Sequence, residues 1–163
     1  MKAAVLAGYA KNGCDLELRE LPIPKAAPGE VLVKVHAAGV NPLDNMIVRG
    51  EVKLIVPYSF PLVMGNELVG TVVELGAGSS RFTVGDRVYG RMPLSKIGAF
   101  SEYASVNEFV HEDGAGLEKL PEILGDRRIE ASVDMVFPFD EVNAAMAKVA
   151  AGRSKGKTVL KIC

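Results

Sequence analysis

Tryptophan is absent from this chain, and cysteine and histidine occur only twice each in 163 residues. Each shortage excludes something. Cys14 and Cys163 sit near opposite ends of the sequence, form no C-x-x-C pair and have no zinc-ligand spacing. Counting alone leaves a terminal disulfide open, with reduced cytosolic thiols as the favoured reading. Two histidines without a G-x-S-x-G elbow give no basis for a hydrolase. Charge of one sign is also missing: 19 Lys and Arg stand against 20 Asp and Glu. That balance supplies no basic field for nucleic acid and no charge run to hold a membrane. No apolar segment approaches the roughly 18 residues that suggest a membrane span. The first apolar run is cut by Gly8 and Tyr9 and lacks the features of a signal peptide. The expectation is a soluble, cytoplasmic protein with no nucleic-acid and no membrane partner.

Apolar residues make up 48% of the chain, enough for a real core, and the length suits one domain. The organising stretch is Gly65-Asn66-Glu67-Leu68-Val69-Gly70 running on to Leu75 and Gly76. The chain then turns back through Phe82 and Gly85-Asp86 into Arg87-Val88-Tyr89. Glycine tolerates positive φ, so the spacing predicts strand, tight loop, strand. The hairpin belongs either to a small barrel, with Phe82 plugging its end, or to a plain antiparallel pair.

Elsewhere, residues 2–7, Leu16 to Leu21, Val31 to Ala37 and 99–106 alternate as strands. His36 falls on the opposite parity to Val33 and Val35 and reads as a surface or lightly paired histidine. Pro42 suits the first turn of a short helix with Asn41 as its N-cap. Asn41 and Asp44 also leave a strand end at a loop mouth, where polar groups face a ligand. Residues 51–64 are irregular, a loop over a pocket or a hydrophobic crossing. Asp113 caps a predicted helix through Leu124 with Gly125 as its stop, kinked or started late by Pro121. Residues 129–137 read as extended. Asp140 caps a second helix with a stripe at Val142, Ala145, Met146 and Val149, and residues 158–162 close the chain as a strand.

The G-x-E-x-x-G strand, the Gly76-x-Gly78 loop and the F-x-x-G-D-R-V run from Phe82 to Val88 occur in that order. Together they resemble the catalytic domain of medium-chain dehydrogenases/reductases, on the zinc-independent quinone oxidoreductase side. Asp134-x-Val136-Phe137-Pro138, Ala144-Ala145 and Gly156-Lys157-Thr158-Val159-Leu160 resemble the family's C-terminal return to that domain. The resemblance implies a mainly β (α+β) fold: a GroES-like β-barrel with two or three C-terminal helices. The family's Rossmann cofactor domain should follow the Ser101-Glu102-Tyr103 strand. No G-x-G-x-x-G turn opening a helix stands in this sequence. The chain therefore reads as one domain, 1–163, built from 1–108 and 109–163. The seam lies near 107–109, where a cofactor domain would be inserted.

By the same resemblance Asn41 and Asp44 line the nicotinamide and substrate cleft as catalytic candidates. Asn41 and Lys157 are the cofactor-binding candidates, Lys157 as a weak phosphate contact. The family's zinc-dependent members carry cysteine where this chain has Asn41 and histidine where it has Asn66. Asparagine is a poor zinc ligand, so no metal is expected. Many relatives have tyrosine where Met46 stands. Glu67 matches a buried family glutamate and reads first as a structural hydrogen-bonding carboxylate. Gly152-Arg153-Ser154-Lys155-Gly156-Lys157-Thr158 imitates a P-loop. It is one residue short between its glycines and follows a helix instead of opening one, so it reads as a basic turn.

The implied function is the substrate-side domain of an NADPH-dependent quinone oxidoreductase relative, whose parent moves hydride to a small-molecule quinone or enone. This chain is expected to bind no cofactor by itself and to have little activity. The alternative is a non-catalytic binding module or scaffold, forming a homo-oligomer through the apolar cleft wall that a missing domain would uncover. A cofactor domain supplied by a separate chain is a third option.

Overall fold

The computed structural model describes residues 1–11, 15–108 and 132–163. The helix expected from Asp113 to Leu124, together with Cys14, His111 and the seam residue Phe109, lies outside the described residues. The elements are β1 (Lys2–Leu6), β2 (Glu17–Glu20), β3 (Glu30–Val40), α1 (Pro42–Arg49), β4 (Leu62–Val63), β5 (Glu67–Leu75), β6 (Arg87–Arg91), β7 (Tyr103–Asn107), β8 (Val133–Pro138), a 3₁₀ turn (Phe139–Glu141), α2 (Val142–Ala150) and β9 (Lys157–Lys161). None of these helices is long and apolar enough to cross a membrane.

Among the described residues the barrel expected from the sequence is not formed. The strands make two open sheets, one ordered β2-β1-β4 and one ordered β6-β5-β3-β9-β8, with β7 also on β3. Closure requires the two end strands to pair with each other. Among the described residues β6 and β8 end the large sheet without meeting, and the small sheet touches the approach to β7 through the Ala3–Ser101 bridge and the 2.8 Å bond from the Phe100 N–H to the Met64 carbonyl. The physical reason lies in β3. It spans eleven residues and is paired with β5 along one edge. Its other edge is shared, by β7 opposite Glu30–Lys34 and by β9 opposite Ala37–Val40. The sheet therefore forks along that edge, and neither β7 nor β8 comes round to pair with β6.

The core is one cluster drawing Leu6 from β1, Val33 and Val35 from β3, Ile47 from α1, Val72 from β5, Met146 from α2 and Leu160 from β9. Of the two aromatic residues at 100 and 103, Phe100 is fully buried and Tyr103 is half-buried. Gly65, at φ +90°, lies under the Phe100 ring, and a Cβ there would stand 2.2 Å from the ring's Cδ1. The glycine that opens β5 is therefore required twice, for its backbone and for its missing side chain.

The C-terminal elements anchor to the rest through amides. Asn45 Nδ2 on α1 donates to the Met146 carbonyl at 3.1 Å. Asn143 on α2 holds both backbone groups of Leu16, each at 2.9 Å. Asp140 lies within the 3₁₀ turn, and Glu141 occupies the N-cap position of α2 instead. The tighter turn absorbs the residues between Pro138 and the helix, which displaces the start by one position.

Candidate functional site

Strand register brings four segments to one corner of the large sheet. Gly39 stands opposite both Glu67 and Val159, Val40 opposite Thr158, and Glu67 opposite Arg91. The end of β3, the start of β5, the end of β6 and the start of β9 therefore coincide, and α1 begins there.

Asn41 occupies the N-cap of α1 with extended backbone, φ −122° and ψ 156°. Its N–H donates to Asp44 Oδ2 at 2.8 Å, and the Asp44 N–H donates to the Asn41 carbonyl at 3.0 Å. Its side chain turns toward the corner. Oδ1 accepts from Lys157 Nζ at 2.6 Å, and Nδ2 donates weakly to Asn66 Oδ1 at 3.4 Å. Lys157 is also ion-paired with Glu67. Gly39 gives this pair its room: a Cβ there would lie 2.6 Å from Glu67 Oε2 and 2.7 Å from Lys157 Cε.

Beneath the half-exposed pair lies a buried layer. Asp44 and Asn66 are both wholly inaccessible. Among the described residues, Asp44 Oδ1, Asn66 Nδ2 and Thr158 Oγ1 find no hydrogen-bond partner. Desolvation raises the Asp44 carboxyl to about 7, opposed by its bond from Asn41, with Glu67 adding to the rise and Lys157 and Arg91 opposing it. At neutral pH it is therefore shared between acid and carboxylate.

All three residues singled out from the sequence, Asn41, Asp44 and Lys157, meet at this corner. Asn41 serves both readings, capping with its backbone and facing the corner with its amide. Glu67, read first as structural, shares Lys157 with Asn41. Asn66, Thr158 and Arg91 were not among the candidates. Asn66 carried a signal, since it adjoins Glu67 in the glycine-bounded strand opening. Thr158 and Arg91 carried none, because their place depends on cross-strand register. His36 stays outside, its Nε2 2.9 Å from Thr71 Oγ1. The P-loop-like run leads from α2 into β9, with no helix following it. Among the described residues no three His, Cys, Asp or Glu side chains are grouped to hold a metal ion.

The alcohol dehydrogenase GroES-like domain model matches residues 27–113. The chain belongs to that family. It lies within the medium-chain dehydrogenase/reductase superfamily, among relatives of quinone oxidoreductase type. It is 35% identical over 111 residues to a mitochondrial NAD(P)H oxidoreductase of Dictyostelium discoideum, covering 66% of this chain and 32% of the relative. A chloroplastic quinone-oxidoreductase homolog of Spinacia oleracea is 33% identical, over 66% of this chain and 33% of its own length. The chain thus spans about a third of the curated relatives it matches. The crystal structure of an alcohol dehydrogenase superfamily protein from Novosphingobium aromaticivorans superposes with TM-score 0.58 at 29% identity, over 93% of this chain and 51% of that one.

Proposed function

We propose that this chain is the substrate-side domain of an NADPH-dependent oxidoreductase that reduces a quinone or enone, and that it has little activity without a cofactor domain joined near residues 107–109. The observation carrying this reading is the convergence of Asn41 and Lys157, 116 positions apart, on one 2.6 Å contact. The names of the relatives supply the reaction class.

The corner fits the edge of a dinucleotide. Lys157 is about two-fifths exposed and carries the positive charge. Asn41 offers Nδ2, whose bond to Asn66 is long. The Lys157 charge is already offset by Glu67, so its pull on a phosphate is modest. When bound, NADPH supplies the hydride. Asn41 orients a carbonyl oxygen through Nδ2, and Lys157 lowers the cost of negative charge developing beside it. Asp44, sealed from solvent, acts through Asn41 by holding its backbone N–H.

The test is a fluorescence titration of the whole chain with NADPH, with NADH beside it, followed by a quinone turnover assay. The sequence alone leads to the expectation that the chain binds no cofactor by itself; the half-exposed Lys157 beside Asn41 changes that expectation to weak saturable binding that Lys157→Gln reduces, with little turnover. Robust quinone reduction by this chain alone overturns the need for a cofactor domain. Absence of binding up to millimolar cofactor removes Asn41 and Lys157 as cofactor contacts.

A further inference from the structure

The two ends of the large sheet differ in how they are guarded. An end strand exposes unpaired N–H and C=O groups, and soluble proteins blunt such edges with charge, proline or a covering element. The β6 end carries Arg87 and Arg91 on its five residues. The β8 end reads Val-Asp-Met-Val-Phe-Pro, paired in parallel with β9 on one side and with no strand on the other among the described residues. Its one charge, Asp134, is taken by Lys148 of α2 at 2.9 Å. Val133, Met135 and Val136 are 52%, 44% and 55% exposed. Proline comes only at the last position.

We propose that β8 pairs edge to edge with β8 of a second copy of this chain, antiparallel about a two-fold axis. Identical strands related by a two-fold axis perpendicular to the sheet must run antiparallel, so the symmetry of a closed dimer and the pairing agree. An axis at Met135, or between Met135 and Val136, sets Asp134 opposite Val136 or Phe137. Asp134 never faces its own copy, so no like charges oppose each other in the ladder. The apolar centre of the strand meets itself, and the neutralised charge lies off the axis. This self-complementarity selects a second copy over a foreign strand. The dimer would make one continuous sheet across both subunits, with Val133, opposite Lys157 in register, carrying the interface toward the Asn41–Lys157 corner.

Sedimentation of the whole chain over a wide concentration range tests this. A reversible monomer–dimer equilibrium is expected, with β8 amide exchange slowing as the dimer fills. Met135→Lys sets the two lysines face to face when the axis passes through Met135 and beside the axis otherwise, never opposite Asp134, and should weaken association by at least about tenfold, with circular dichroism unchanged. Tyr89→Lys on the guarded β6 edge should leave the equilibrium as it was. If Met135→Lys loses the native spectrum, Val133→Lys replaces it. A chain that stays monomeric throughout overturns the proposal. So does a dimer that withstands the β8 substitutions or that Tyr89→Lys dissociates.

Discussion

Replacing Asp44 with asparagine tests the buried layer of the corner most directly. The carboxyl has no solvent access, and one of its oxygens has no partner among the described residues. Burial raises it from 3.8 in the unfolded chain to about 7 in the folded one. Between those two values the folded state keeps a proton that the unfolded state has lost. Stability therefore falls as pH rises through that window, and the cost is complete above pH 7. Three units at about 1.4 kcal/mol each set the loss at about 4 kcal/mol as an upper figure. Asparagine keeps the shape and one acceptor for the Asn41 N–H, but it carries no charge. The variant should match the wild type near pH 4 and exceed it by up to about 4 kcal/mol at pH 8. Glu30, Glu51, Asp86 and Asp134 are held below their ordinary values, so their contributions lie at lower pH and cancel in the difference. Urea unfolding at intervals from pH 4 to 8.5, followed by circular dichroism, reads the effect. A stability difference that does not change with pH would refute the assignment of a raised carboxyl at position 44.

Three further substitutions probe the supports around it. Gly65→Ala drives a Cβ into the Phe100 ring at a positive φ, and should cost about 3 kcal/mol in urea unfolding; a loss under about 1 kcal/mol would show that the ring yields. Asn143→Ala strips both backbone bonds from Leu16 and should cost about 1–3 kcal/mol, with faster amide exchange at Leu16 as the local signature. Lys157→Gln breaks a half-exposed ion pair, so its stability cost should stay within about 1 kcal/mol while its effect falls on NADPH binding. A large stability loss with unchanged binding would make Lys157 a structural residue.

Much of the local structure was legible in the sequence. Alternating valines marked β3, the spaced glycines marked the β5–β6 hairpin, and Asn41-Pro42 marked the start of α1. These signals are local, because side-chain alternation and positive φ act within a few residues. The linked motifs also pointed to the family, since they record a fold already assembled. Asn41, Asp44 and Lys157 were reachable by that route. Arg91 and Thr158 were not, because nothing near them in sequence distinguishes them from other residues at a strand end.

From residue order alone came the strands, the turns, the balance of charge and the family. Edge partners came from elsewhere. Whether a strand set closes into a barrel depends on which edges remain free after long-range pairing, and β3 shares one edge between β7 and β9. The same pairing decides the chemistry of the corner. Asp44 is an ordinary helix-start carboxylate in the sequence, and its shared proton arises chiefly from burial, with the Glu67 charge adding to it once β5 is brought alongside.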